Sequence, residues 1–256
     1  MNNLAELSVV GNVRMENEDR AAALNKNTTS MLIICDGMGG HFGGSYASSI
    51  TVNILKNAFN SQIPLKNDSI EEYANWFKQN IDKARAEMKK LGEHDEAQLD
   101  MGTTVAAAIF DTEKKFFYVF NIGDSRTYIL TVNGDLVQIS IDHNLLNRLI
   151  REEGMPEAKA KKIKHNTALT SALGPQKKTK IEVFDISNDI DKIYSVLCTS
   201  DGVHGFVDKP SIELTLKREK NAQKTAEELV KLALENRSTD NASVAYSIIN
   251  SPKWSK

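Results

Sequence analysis

The chain of 256 residues and 28.4 kDa, with 41% hydrophobic and 26% charged residues, has the profile of one globular domain with a sizeable core. Its net charge of −2 excludes a strongly basic nucleic-acid binder, and no apolar stretch is long enough to span a bilayer. Residues 1–10 carry no basic region ahead of a signal-peptide core, so a cytoplasmic protein with neither membrane nor nucleic-acid partner is expected.

In chain order, residues 4–12 predict a first strand, leading into the charged segment 11–20, which by itself reads as a solvated loop. Residues 31–35 form an apolar run that ends at Asp36 and a cluster of glycines, which permit tight turns and close backbone approach. Residues 45–59 place Ala47, Ile50, Ile54 and Ala58 on one helical face. A second helix starts from a capping box of Ser69 and Glu72, carries Tyr73, Phe77, Ile81, Ala84 and Met88 at helical spacing, and is expected to stop at Gly92. A polar loop follows at 93–100. Segments 103–110, 115–122, 126–131 and 136–140 read as four successive strands, the last two joined by the hairpin signal Asn133-Gly134, and short connections predict an antiparallel meander. A short helix at 144–153 ends at Gly154, and 155–180 is lysine-rich and aperiodic. Strands return at 181–186 and 193–199, helices at 210–216 and 222–234, and a last strand at 242–249, after which 251–256 should fray. No repeat, linker or composition break marks a second domain.

Carboxylates recur at the strand ends: Asp36-Gly37, Gly123-Asp124 and Ser200-Asp201-Gly202 follow strands, and Asp240-Asn241 precedes one. A lone Asp-Gly pair is most simply a turn. Four such acids spread over the whole chain predict convergence at one sheet edge, where protonation, a cationic side chain or metal ions must offset their repulsion. An all-oxygen ligand set suits Mg²⁺ or Mn²⁺ in water-rich coordination. An aspartate bridging two such ions holds them roughly 3.5–4 Å apart around a shared water or hydroxide suited to in-line attack on a phosphate ester. Arg14 could then grip the phosphate oxygens bidentately. Cys35 and Cys198 read as small core hydrophobes, and neither a C-x-x-C pair nor an H-E-x-x-H helix supports zinc.

Segments 14–19, 36–41, 102–104, 121–126, 169–174, 200–202 and 240–241 resemble, in order, the motif series of the metal-dependent Ser/Thr protein phosphatases, the type 2C or PPM family, in its compact bacterial form. The resemblance implies an α+β fold, a four-layer α-β-β-α sandwich of two stacked antiparallel sheets flanked by helices, with one catalytic domain at 1–250 and a flap at about 142–174. It implies hydrolysis of phosphoserine and phosphothreonine in proteins without a phosphoenzyme, by a monomer paired with a cognate Ser/Thr kinase, and a cofactor of two Mn²⁺ or Mg²⁺ ions with room for a third. Asp36 would bridge the ions, the Gly37 carbonyl bind one, and Asp201 and Asp240 the other. Asp124 would hold the third ion with Asp201, Glu18 and Asp19 would act partly through water with Asn241 beside them, and Arg14 would take the substrate phosphate.

Departures from the pattern are local. Met38 stands where eukaryotic members carry a histidine proposed as general acid, which leaves that acid unassigned, and His41 reads as a structural hydrogen-bonder in the glycine loop. Ser45 replaces a usual acid, and Ser238-Thr239 a frequent Gly-Gly. The alternative is a pseudophosphatase, a silent phosphoprotein-binding scaffold, although all the expected acids are present. A nucleotide-binding reading fails because Ser45 occupies the position where the Walker spacing needs lysine. The lysines from 159 to 180 read first as a solvated face and second as an attraction for acidic phosphoproteins.

Overall fold

The computed structural model describes residues 3–40, 43–64 and 69–254, so the role expected of His41 lies outside the described residues. One antiparallel sheet runs β1 (Asn3–Val9), β12 (Ala242–Ile248), β11 (Ile193–Thr199), β8 (Arg126–Thr131) and β9 (Leu136–Gln138). A second runs β10 (Glu182–Asp185), β7 (Phe116–Ile122), β6 (Val105–Asp111), β3 (Thr29–Cys35) and β2 (Arg20–Lys26), and a ribbon pairs β4 (Gly37–Met38) with β5 (Gly102–Thr103).

Side-chain alternation builds the layers. Met31, Ile33 and Cys35 of β3 face a core shared with α1 (Gly43–Gln62) and α2 (Ile70–His94), while Leu32 and Ile34 face Val196, Cys198 and Ala245 of the other sheet. A strand covered on both sides must be apolar throughout, which is why this run shows no polar alternation. On the far side, α5 (Asp201–His204), α6 (Lys209–Arg218) and α7 (Ala222–Glu235) cover the first sheet through Val203, Ile212, Leu229 and Ala233. The result is the α-β-β-α sandwich expected, with Cys35 and Cys198 free and in different layers. Among the described residues no helix is long and apolar enough to cross a membrane.

Four local expectations need correction. The four successive strands are not one meander: β6 pairs with β7, β8 pairs with β9, and the two hairpins lie in different sheets. The chain crosses between them at Gly123, whose φ of +96° and contact with Thr104 leave no room for a side chain. Ser69 sits at the start of α2 but makes no side-chain cap, its carbonyl instead accepting from Glu72 N at 3.0 Å. Gly92 does not end α2, which continues to His94, because the glycine is there to admit Leu99 against the helix. The tail expected to fray is held as far as Trp254, whose ring meets Tyr194 edge-on at 4.8 Å while Lys253 N donates to Val132 O at 2.8 Å.

Candidate active site

Strand ends from both sheets supply the acids. Asp36 follows β3, and its backbone is fixed by the Gly102-Thr103-Thr104 motif: Asp36 N donates to Thr104 Oγ1 at 3.0 Å, while Asp36 O accepts from Thr104 N and Thr103 Oγ1 at 2.9 Å each. Thr103 in turn exchanges backbone hydrogen bonds of 2.8 Å with Leu173, tying the 169–174 motif to the same corner. Asp124 sits on the crossing between sheets. Asp201 opens α5 after β11, and Gly202 packs against the Asn241 carbonyl so closely that a methyl group there would overlap it. Asp240 lies two residues before β12 and abuts Gly11, where an added Cβ would lie 2.5 Å from Asp240 O.

Glu18, Asp36, Asp124, Asp201 and Asp240 thus line one cavity of about 280 Å³ together with Arg14, Gly37, Gly39, Met38, Thr104 and Leu169. Arg14 is the cation among these residues, and its Nη2 donates to Asp240 Oδ2 at 2.6 Å. One guanidinium cannot balance so many carboxylates. Burial first, then the charges of Asp19, Asp201, Asp124 and Asp240, push the Asp36 carboxyl well above the usual carboxylate range. Burial with Asp201 and Asp142 nearby raises Asp124 to about 7, and burial beside Asp240 raises Asp201, which shares a hydrogen bond with Asp36.

Two expected site residues stand behind this wall instead of lining it. Asp19 is 2% exposed, accepts from Ser200 Oγ at 2.7 Å and is raised to about 6 by burial. Asn241 is a bracket: its Nδ2 donates to Val10 O and Glu16 O, and its Oδ1 accepts from Glu18 N, each at 2.9 Å. Those three bonds staple the 10–18 segment to β12 and so aim Arg14. Ser45 accepts from Arg20 Nη2 at 3.1 Å, and Ser238 Oγ donates to Gly202 O at 2.8 Å, so both replacements do structural jobs. Sequence reasoning missed the roles of Thr103 and Thr104 in holding Asp36, and of Leu169 as cavity wall. The available signal was their place in ordered motifs.

The oxygen-only donors fit a hard divalent cation. Among the described residues no three of these acids, histidines or cysteines form a ready-made cage for a single ion. That is compatible with Mg²⁺ or Mn²⁺, which keep several waters and bind through few carboxylates each.

A protein phosphatase 2C family model matches residues 13–237. The serine/threonine phosphatase stp of Listeria welshimeri is 29% identical, covering 91% of this chain and 90% of its own. A putative protein phosphatase of Mycoplasma pneumoniae is 29% identical over 99% of this chain and 97% of its own. Among solved structures, serine/threonine phosphatase Stp1 from Staphylococcus aureus superposes with a TM-score of 0.84 at 26% identity, covering 98% of this chain and 96% of that one. The catalytic domain of the phosphatase PstP in complex with two manganese ions gives 0.75 at 25%, covering 96% and 97%.

Proposed function

The chain belongs to the protein phosphatase 2C family and is a protein serine/threonine phosphatase, and from that premise we propose that it hydrolyses phosphoserine and phosphothreonine with Mn²⁺ or Mg²⁺ held by Asp36, the Gly37 carbonyl, Asp124, Asp201 and Asp240. The observation that carries this reading is the convergence of those residues on one cavity with Arg14 at its edge. Two ions, and a third at Asp124, are the stoichiometry proposed; two manganese ions in PstP support the first part. Bound ions would supply Lewis acidity, activating a water and neutralising charge on the phosphate.

The chain's own residues do the rest. Arg14 would bind phosphate oxygens, in competition with Asp240, which now holds its guanidinium. Leu169 supplies apolar wall beside the reacting group, and Asn241 keeps the arginine segment in place. Among the described residues no Ser, Cys or His lines the cavity, and the Thr104 hydroxyl is committed to Asp36 N and, at 2.6 Å, to Ser125 Oγ. This supports direct attack by water without a phosphoenzyme. Met38 has no proton to give a departing serine or threonine alkoxide, so the general acid lies elsewhere.

We place the protein in the cytoplasm as a monomer acting on products of a cognate kinase, with the two free buried thiols in keeping with a reducing compartment. The scaffold alternative gains no support from relatives described as phosphatases. Hydrolysis of a phosphothreonine peptide, titrated with Mn²⁺ and reversed with EDTA, tests the reading, and a protein inert with added Mn²⁺ would sink it.

A further inference from the structure

Next to the catalytic cavity lies a second one of about 250 Å³ whose chemistry the reaction does not use. Arg148 and Arg151 from α3 (Leu145–Arg151) line it together with Lys178 and Lys180. Of its three carboxylates, Asp142 is held by Arg126 at 2.7 and 2.9 Å, and Glu152 and Glu182 both pair with Lys180, at 3.2 and 3.1 Å. Arg148 leans on Glu153 at 3.4 Å. Arg151 and Lys178 have no carboxylate within ion-pair distance among the described residues, so the cavity keeps a positive surplus. Buried at its edge, His143 Nε2 and Glu182 Oε2 stand 3.2 Å apart without an aligned hydrogen bond to any protein group among the described residues.

The two cavities share a thin wall. Leu169 lines the first, while the adjoining Thr170 and Ser171 line the second. His143 Nδ1 accepts from Gly123 N at 3.1 Å, one residue from Asp124, and Thr170 N donates to His143 O at 2.8 Å. An extended peptide gains roughly 3.3 Å per residue, so a substrate seated in the first cavity crosses this wall within a few residues.

We propose that this cavity is a second phosphate-binding subsite, in which Arg151 and Lys178 receive another phosphate group of the same substrate segment and thereby select multiply phosphorylated proteins. The proposal rests on the phosphatase reading. It replaces a diffuse basic face with a site of defined reach. A solvated face attracts acidic peptides whatever their spacing, whereas a subsite rewards one separation.

The test compares kcat/KM for singly phosphorylated peptides with a series in which a second phosphothreonine is walked outward from the first. The expected result is a preference of roughly tenfold at one spacing, the worth of one charge-assisted contact. The double variant Arg151→Gln/Lys178→Gln, both sites being exposed, should remove that preference while leaving turnover of p-nitrophenyl phosphate unchanged. A wild-type ratio near one at every spacing, a preference independent of spacing, or one that survives the double variant overturns the subsite. If free phosphate were the ligand instead, inorganic phosphate would inhibit p-nitrophenyl phosphate turnover differently in wild type and variant without a peptide preference, which also overturns it. Binding of a labelled doubly phosphorylated peptide in EDTA, read by anisotropy, should weaken roughly tenfold in the variant. That measurement stands even if the metal-loaded enzyme proves inert.

Discussion

Arg14 and Asp240, 226 residues apart in sequence, form an ion pair of 2.6 Å at the edge of the acid-lined cavity. Both side chains keep substantial exposure, 49% and 31%, so the pair adds little to stability and can be exchanged for another anion. A substrate phosphate is such an anion. Arg14→Ala is therefore expected to raise KM for a phosphothreonine peptide roughly tenfold to a hundredfold with a smaller change in kcat. Steady-state kinetics decides it, and an unchanged KM rules out the phosphate role.

Asp36→Asn and Asp201→Asn should separate stability from activity. An amide keeps the shape and the hydrogen bond between the two side chains but removes a buried charge from a repelling set. In EDTA, Tm should not fall and should rise for Asp36→Asn, while turnover with Mn²⁺ drops by at least roughly a hundredfold. The rise in Tm that Mn²⁺ gives the wild type should vanish in both variants.

Asp124 predicts a pH signature. Its carboxyl titrates at about 7 in the folded chain against an ordinary value of 3.8, so between those limits the folded state holds a proton that the unfolded state has lost. Stability from this group is complete below the lower value and is lost as pH rises through about 7. In chelator, the Tm of Asp124→Asn minus that of wild type should therefore widen from pH 4 to about 7 and then level off. A gap that is flat across that window would count against the buried, charge-crowded placement of Asp124.

Asn241→Ala removes three hydrogen bonds at once and orphans groups on the arginine segment. A loss of about 3 kcal/mol is expected by denaturant unfolding, at roughly 1 kcal/mol per bond. KM should rise as well, because the segment that aims Arg14 loses its anchor. Asn241→Asp, which retains only the acceptor, should not restore it.

Gly202→Ala should fail to fold or lose at least about 3 kcal/mol, since the methyl group would overlap the backbone carbonyl of Asn241. Normal expression and melting of that variant would contradict the packing of α5 on β12.

Much of the molecule was legible in its sequence where one segment determines its own structure. The 126–131 and 193–199 strands and the 222–234 helix follow from local apolar periodicity and differ from the structure by at most a residue at either end. The acids at strand ends were legible because the strands could be read: Asp36, Asp124 and Asp201 follow one, and Asp240 precedes one. Relationships between segments were not legible. Whether β8 continues the sheet of β7 or joins the other depends on which partner strands are free, and local propensity is silent on that. Gly92 has the composition of a stop signal, yet a glycine is equally suited to the close approach of Leu99, and only the position of that side chain chooses between them. Likewise the pairing of Arg14 with Asp240 and the bracket at Asn241 join residues more than 200 positions apart, a coincidence in space that the sequence order cannot encode until the two sheets have stacked.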